Sequence, residues 1–255
     1  YDPGPPPAFA ELFARHPDYT PYKEWFWYDW GPIFYRGKVD GSARVLCVAS
    51  DPGPTERIAA RTLVGDAGQR VQGFLHKIGL TRSYLCLNAF IYALHPARFW
   101  QARDALSDPA HTAWRNELFD LVSGPQLQAI VAFGFHARNA IALWKDDDEL
   151  GVPFVRLPHP SSRDMERLLH DWRDAVEQLR AIVTPDDDGL IGPTYGNVFA
   201  EHDYARVPLA DLPFGVPEWL GNDAWGRQDT PPHNNSVHRP TPDDGHTLIW
   251  IAPRS

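Results

Sequence analysis

Cysteine is almost absent from this chain of 255 residues, and its scarcity excludes several classes of protein. The two cysteines, Cys47 and Cys86, lie in apolar runs typical of buried strands, so we expect reduced core thiols rather than a disulfide. An iron–sulfur cluster needs about four such ligands. We therefore expect a cytoplasmic protein that requires no cofactor.

Long apolar runs and phosphate-binding glycine motifs are also missing. No run approaches the roughly 20 apolar residues of a membrane span, and no stretch has the pattern of a secretory signal. Neither G-x-G-x-x-G nor G-x-x-x-x-G-K-[ST] follows an apolar run. The acidic runs Asp146–Asp148 and Asp186–Asp188 are expected to be solvated loops. We therefore predict no membrane association, no dinucleotide or P-loop chemistry, and no metal.

Acidic residues outnumber basic residues, and the formal net charge is −9. An acidic chain is not an obvious partner for nucleic acid, so any DNA-binding surface has to be a local basic face. Proline, by contrast, is abundant at 25 residues, and much of it lies towards the two ends of the chain. This distribution predicts irregular arms around a regular core.

Apolar, strand-like runs alternate with helical patterns in the middle of the chain. Short apolar runs predict buried strands over Arg44–Ser50, Ser83–Phe90, Leu127–Gly134 and Val152–Pro160. Helical spacing fills the intervals and continues over Ser162–Val183. This order predicts an α/β fold, a three-layer α/β/α sandwich with a central, mostly parallel four-stranded sheet.

We expect three segments along the chain. Residues 1–40 form an aromatic and proline-rich N-terminal arm, and residues 41–183 form the α/β domain. Residues 184–255 form an irregular C-terminal extension packed on the core, because they hold too few apolar residues for an independent domain. The stretch HTLIWIAP near the end of the extension is a candidate for one added strand.

Polar residues follow each of the four apolar runs. They are Asp51, Pro52 and Gly53 after the first run, Asn88 in the second, Gly134 and His136 after the third, and His159, Ser161 and Ser162 after the fourth. In open α/β sheets, ligands bind outside the carboxyl ends of the strands. Because parallel strands end at the same edge, we expect these residues to share one pocket.

Each of these residues also has a purely structural interpretation. Asp51 before a proline can form a turn, and Asn88 can cap the segment that follows it. His159 can lie in a surface loop, and Ser161 or Ser162 can be the N-cap of the last helix. Their coincidence at one predicted edge favours a functional site.

The residue types suit the cleavage of an N-glycosidic bond. A carboxylate on a rigid Pro-Gly turn can hold a water or stabilise a developing sugar cation. An asparagine side chain offers a donor and an acceptor to the edge of a base. A histidine across the pocket can donate a hydrogen bond to the departing base as it gains negative charge.

Between Arg44 and Val183 the chain contains the stretches ASDPGPTE, RTLVGDAGQRVQGFL, LNAF and LPHPSSRD, in this order. With these motifs the region resembles the uracil-DNA glycosylase superfamily, in that family's order and spacing. ASDPGPTE is similar to its first motif, LNAF to its asparagine motif and LPHPSSRD to its His-Pro-Ser motif. RTLVGDAGQRVQGFL resembles a segment of its bacterial and archaeal branches. The resemblance implies a DNA glycosylase that flips a base out of DNA into a pocket.

The resemblance also implies a role for each matching residue. Asp51 would activate water or stabilise the sugar cation, and His159 would stabilise the leaving base. Base binding would fall to Asn88, Pro52, Gly53 and Leu63, and DNA-backbone binding to Ser161, Ser162 and Arg163. DNA is the implied partner, and we expect a monomer.

Departures from the family pattern leave the substrate open. Leu63 stands where many relatives carry a phenylalanine that stacks on the base. His95 follows Asn88 without the basic loop of the covalently trapping branch, so covalent capture is not expected. Uracil is the default substrate, and glucosylated hydroxymethylcytosine of phage DNA is the alternative. A non-catalytic nucleic-acid-binding module and a hydrolase of free nucleosides are hypotheses from other classes.

Overall fold

A computed structural model of the chain describes residues 1–216, 237–238 and 249–250. Its main sheet has the strand order β1-β3-β2-β4-β5. The strands are β1 (Tyr35–Gly37), β2 (Val45–Ala49), β3 (Tyr84–Asn88), β4 (Ala129–Phe133) and β5 (Phe154–Leu157). Strands β2 to β5 run parallel, and β1 is antiparallel to β3. The expected α/β fold with a mostly parallel sheet is confirmed.

Helices cover both faces of this sheet. They are α1 (Pro7–Ala14), α2 (Pro54–Ala59), α3 (Asp66–Lys77), α4 (Ala102–Ser107), α5 (Pro109–Val122), α6 (Phe135–Ala142) and α7 (Met165–Arg180). Helices α1, α4, α5 and α6 pack on one face, and α3 and α7 pack on the other. Across the described part of the chain, no helix combines the length and apolarity that a membrane crossing requires.

Short 3-10 helices and a separate strand pair complete the described elements. The 3-10 helices span Thr20–Trp25, Tyr28–Trp30, Pro96–Arg98, Asp147–Glu149, Glu201–Asp203 and Leu209–Asp211. The strands β6 (Val237–His238) and β7 (Ile249–Trp250) pair antiparallel in a sheet of their own. The added strand expected in HTLIWIAP thus coincides with β7, and the rest of that stretch lies outside the described residues.

The sheet has five strands rather than the four expected. The additional strand, β1, comes from the aromatic arm and pairs with β3, where Arg36 lies opposite Cys86. Three residues that end in a glycine are too few to show a periodic pattern, so this edge strand could not be predicted. The arm is therefore partly built into the sheet.

The central strand β2 is buried on both faces of the sheet. Leu46 and Val48 point into the core beneath α4, α5 and α6, and Cys47 points into the core beneath α3 and α7. Such double burial explains the continuous apolar run in the sequence. Cys47 and Cys86 are paired in register on neighbouring strands, and both are buried free thiols, as expected.

Helix α7 is capped by an aspartate rather than by a serine. The carboxylate of Asp164 accepts a hydrogen bond of 3.1 Å from the backbone N–H of Arg167. The hydroxyl of Ser162 instead accepts a bond of 3.2 Å from the N–H of Asp164. The structural alternative for Ser161 and Ser162, an N-cap of the last helix, is therefore wrong.

Residues 184–216 lie against the α/β core and supply carboxylates to its cations. The pairs are Arg36–Asp211 at 2.9 Å, Lys77–Asp203 at 2.8 Å and Arg44–Asp186 at 3.2 Å between nitrogen and oxygen. Because an unpaired buried charge is costly, these pairs fix the segment to the core. The remainder of the expected extension, apart from β6 and β7, lies outside the described residues.

Candidate functional site

The parallel strands end along one edge of the sheet, in the order β3, β2, β4, β5. The chain leaves β2 through α2 and α3 to reach β3 on one side, and it leaves β4 through α6 to reach β5 on the other. The connections that leave the neighbouring parallel strands β2 and β4 therefore run to opposite sides of the sheet. Such a switch point forms a crevice, which is the usual ligand site of an open α/β sheet.

Asp51 lies at this edge, two residues after β2. Its Oδ2 accepts a hydrogen bond of 2.9 Å from the backbone N–H of Leu94, and its side chain is partly exposed. Burial raises the pKa of Asp51 to about 6, and the N–H of Leu94 opposes that rise. A carboxyl group whose pKa lies close to neutral pH is suited to accept or give up a proton.

The turn that carries Asp51 is fixed by Glu56. The Oε2 of this buried residue accepts a hydrogen bond of 3.0 Å from the N–H of Gly53. Its Oε1 accepts bonds of 2.7 and 2.8 Å from the N–H groups of Val64 and Gly65. The sequence interpretation missed Glu56. A signal was present, because a glutamate three residues after a helix N-cap is typical of a capping box.

Asn88 ends β3 and lies opposite Ala49 of β2. The strands stay joined beyond it, because the N–H groups of Ala89 and Phe90 donate to the carbonyls of Ala49 and Ser50 at 2.9 and 3.0 Å. Asn88 is 5% exposed, and neither atom of its amide has a hydrogen-bond partner among the described residues. Such a buried amide costs about 1–3 kcal/mol, which a complementary ligand would recover.

His159 follows β5 and is partly exposed. Its Nδ1 accepts a hydrogen bond of 3.1 Å from the backbone N–H of Ser161, so the neutral ring carries its proton on Nε2. Burial lowers the pKa of His159 to about 4. The imidazole is therefore uncharged at neutral pH, and its Nε2–H is a hydrogen-bond donor.

Gly134 and Arg70 position the loop that carries His159. Gly134 follows β4 with a φ of +91°, and a Cβ on it would lie 3.2 Å from the Cβ of His159. Only glycine adopts this conformation readily and leaves room for the ring. Arg70 of α3 donates a bond of 2.9 Å to the carbonyl of Pro160, and its guanidinium lies 4.7 Å from the ring centroid of Phe199. Arg70 was not identified from the sequence as a residue of the site, because the helical periodicity of α3 does not distinguish it from its neighbours.

His136 lies behind the crevice rather than in it. It is fully buried, and its ring packs against Phe90, Phe99 and Phe135 at centroid distances of 5.1, 4.4 and 5.3 Å. Burial lowers the pKa of His136 to about 4. The residue is therefore a neutral part of the aromatic packing beneath the edge.

Leu63 contributes little surface to the crevice. It is 5% exposed and belongs to the core cluster around α3 and α7. Its φ is +52°, and its carbonyl oxygen lies 1.7 Å from where a Cβ on Gly68 would be, so only glycine fits there. This backbone turns the side chain into the core, and no aromatic ring is supplied from this position.

The other expected site residues lie at the same edge with differing exposure. Pro52 is buried and Gly53 is partly exposed in the turn after β2. Ser161 and Arg163 are exposed, and Ser162 is partly exposed, in the turn after β5. The last three are therefore accessible to a phosphate backbone.

His95 is engaged within the fold. Its ring stacks on Trp27 at a centroid distance of 4.8 Å, and its Nδ1 accepts a bond of 3.3 Å from the N–H of Ala97. The backbone N–H of Trp27 donates a bond of 2.8 Å to the carbonyl of Ala93. The aromatic arm thus packs along the loop after β3.

Exposed arginines follow every parallel strand at this edge. They are Arg57 after β2, Arg98 and Arg103 after β3, Arg138 after β4 and Arg163 after β5. Exposed Asp104 and Asp164 lie among them, but Asp164 is used as the cap of α7. This local basic edge in an acidic chain is suited to bind phosphates.

Comparison of the chain with protein-family models and with curated proteins finds no match. Within the described ranges, no group of three or more histidine, cysteine, aspartate or glutamate side chains is arranged to hold a metal ion. The function is therefore inferred from the residues at the sheet edge.

Proposed function

We propose that this protein is a cytoplasmic, monofunctional DNA glycosylase. It flips a non-canonical base out of DNA and hydrolyses the N-glycosidic bond, leaving an abasic site. Uracil is the default base. The observation that carries this proposal is the buried, unpartnered amide of Asn88, at the same edge as a carboxyl group with a raised pKa and a neutral histidine.

Asp51 acts on the sugar side of the bond. Its hydrogen bond from Leu94 fixes the orientation of the carboxylate, and the side chain is partly exposed at the edge of the sheet. In its ionised form the carboxylate accepts the proton of an attacking water or stabilises the oxocarbenium-like sugar. Both roles require a negative charge close to the anomeric carbon.

Asn88 and His159 act on the base. The amide of Asn88 pairs one donor and one acceptor with the edge of the extruded base. The Nε2–H of neutral His159 donates to the base as it departs with negative charge, and such donors stabilise transition states strongly when they are preorganised. The base has to leave the duplex first, because its glycosidic bond is inaccessible in the base stack.

A bulky modified cytosine is the second candidate substrate. Leu63 is buried in the core, so no aromatic ring closes the pocket from that position. This supports a pocket with room for a pyrimidine that carries a sugar, such as glucosylated hydroxymethylcytosine of phage DNA.

The experiment measures abasic sites on DNA that contains uracil, on unmodified DNA and on phage DNA with glucosylated hydroxymethylcytosine. Alkali converts each abasic site into a strand break. We expect breaks on one modified DNA and none on unmodified DNA. Asp51→Asn should abolish them, and Asp187→Asn, at a side chain that is 99% exposed, should not.

The same experiment separates the other classes of function. DNA binding without breaks on any substrate would favour a non-catalytic module, for which the leucine at position 63, in place of a stacking aromatic residue, is the supporting observation. Turnover of free nucleosides without DNA would favour a nucleoside hydrolase. Breaks that persist in Asp51→Asn would refute the role given to this carboxylate.

A further inference from the structure

Trp100 is 66% exposed, although tryptophan is one of the largest apolar side chains. It follows the 3-10 helix Pro96–Arg98 in the loop after β3. Tryptophan is highly buried on average, so an indole held in solvent indicates a binding surface. The proposed reaction does not use this residue.

The loop that carries Trp100 runs along the candidate site. At its start, the N–H of Leu94 donates to Asp51 at 2.9 Å. At its end, the indole of Trp100 lies 5.4 Å from the ring centroid of Phe135, the residue that follows Gly134. Since Gly134 packs against His159, the loop connects the surroundings of the two proposed catalytic residues.

Two phenylalanines support the indole from the protein side. Phe99 and Phe135 contact it at centroid distances of 5.0 and 5.4 Å and interplanar angles of 90° and 71°. Phe99 in turn packs on buried His136 at 4.4 Å. These T-shaped contacts hold the ring in place while most of its surface stays in solvent.

Cationic side chains flank the indole. Arg98 and Arg103 are exposed, and the guanidinium of Arg103 lies 5.6 Å from the ring centroid of Phe135. An exposed aromatic ring between arginines is the combination by which proteins bind unpaired nucleotides: the ring stacks on a base, and the cations bind the backbone.

We propose that Trp100 is a positioning residue that stacks on a DNA base next to the extruded nucleotide and fills the gap left in the base stack. The inference rests on the proposed function, because only a base-flipping enzyme leaves such a gap. Apolar side chains inserted between bases offset the loss of stacking when a duplex is distorted. Trp100 stabilises the flipped state without touching the reacting atoms.

The test uses a duplex with uracil beside the fluorescent base aminopurine, and the same strand without its complement. Wild type should change the aminopurine fluorescence on binding, and Trp100→Ala should lose that change. We expect about tenfold lower kcat/KM for Trp100→Ala on the duplex, equivalent to about 1.4 kcal/mol. Trp100→Ala should cleave the single strand nearly as fast as wild type does, because a single strand has no base stack in which a gap could form.

Two further variants make the result specific. Trp100→Phe keeps an aromatic ring and should recover part of the fluorescence change. Leu190→Ala removes an apolar side chain that is 87% exposed in the C-terminal segment and should behave as wild type. The stacking role would be overturned if Trp100→Ala lost kcat/KM equally on the duplex and on the single strand. An unchanged fluorescence response in Trp100→Ala would also overturn it.

The glycosylase function can be refuted independently of the stacking role of Trp100. A wild-type protein that forms no abasic site on any DNA refutes the glycosylase. The aminopurine response is then measured on a duplex with a stable abasic analogue, which reports the stacking of Trp100 without any chemistry. A response that depends on Trp100 supports the stacking there, and its absence overturns it.

Discussion

The carboxylate of Asp51 accepts its 2.9 Å hydrogen bond from the backbone of Leu94, so the end of β2 and the loop after β3 meet at the carboxylate itself. This bond stabilises the ionised form against burial, which otherwise raises the pKa. The position of the loop therefore influences both the orientation and the protonation of Asp51.

Replacing Asp51 with asparagine should remove catalysis and leave DNA binding intact. Asparagine keeps the shape of the side chain but cannot act as a base or carry negative charge. We expect kcat/KM to fall about a hundred- to ten-thousandfold, the usual contribution of a general base. Single-turnover cleavage and fluorescence anisotropy with a labelled duplex separate the two effects. Equal losses of binding and cleavage would contradict the role of Asp51.

Activity should rise with pH through the pKa of Asp51. In the proposed mechanism the ionised carboxylate is the active form, and the pKa of Asp51 is about 6. The pKa of His159 is about 4, so the histidine stays neutral throughout that range. The logarithm of kcat/KM should therefore climb below about pH 6 and level off above it. A profile that falls as pH rises through this value would reverse the proposed protonation states.

Asp51→Asn should also stabilise the fold at neutral pH. A carboxyl group whose pKa is raised from 3.8 to about 6 in the folded state favours folding when it is protonated, and this contribution is lost as pH rises through about 6. The neutral asparagine avoids the loss, with an upper limit of about 3 kcal/mol. Urea denaturation should show a gain at neutral pH that disappears below about pH 4.

Asn88→Ala should impair base recognition without destabilising the protein. The amide of Asn88 makes no hydrogen bond within the described residues, so its removal relieves a desolvation cost that offsets the lost packing. We expect about a hundredfold lower kcat/KM from the loss of two base contacts. Thermal unfolding should give an unchanged or higher Tm. A large drop in Tm would mean that the amide has a structural role.

Much of this architecture follows from the sequence because burial has a simple signature. Strands β2 to β4 are buried on both faces and read as continuous apolar runs. Since parallel strands end at one edge, the same runs predicted most of the polar residues that lie there, and buried His136 is the exception. Strand β1 was missed because three residues at a sheet edge carry no such signature.

The contacts that tune the site could not be inferred from local patterns. Glu56 reaches from α2 to Val64 and Gly65, and Arg70 reaches from α3 to Pro160, so both depend on the tertiary arrangement. The placement of Leu63 depends on a left-handed backbone that no sequence pattern specifies for leucine. The position of most of the polar residues at the edge was predictable, whereas the contacts that support them were not.

Asp211→Asn should destabilise the whole fold. Arg36 is fully buried, and its ion pair with Asp211 at 2.9 Å compensates its charge. Removing one partner of a buried pair leaves an uncompensated charge, so we expect a loss of about 3 kcal/mol in the free energy of unfolding. Urea denaturation measures it, with Asp187→Asn at an exposed side chain as the control. Equal stability of the two variants would contradict a compensating role for Asp211.

The pairing of Arg36 with Asp211 also constrains how the chain folds during synthesis. Arg36 lies in the strand that closes one side of the sheet, and its partner is 175 positions further along the chain. The ribosome has therefore made and released nearly all of the described polypeptide before that strand finds a neutralising partner. A fragment that ends after α7 would contain every strand of the main sheet, but Arg36 in the edge strand would lack the carboxylate that compensates its charge. We therefore expect the sheet and the segment that follows it to fold as one cooperative unit.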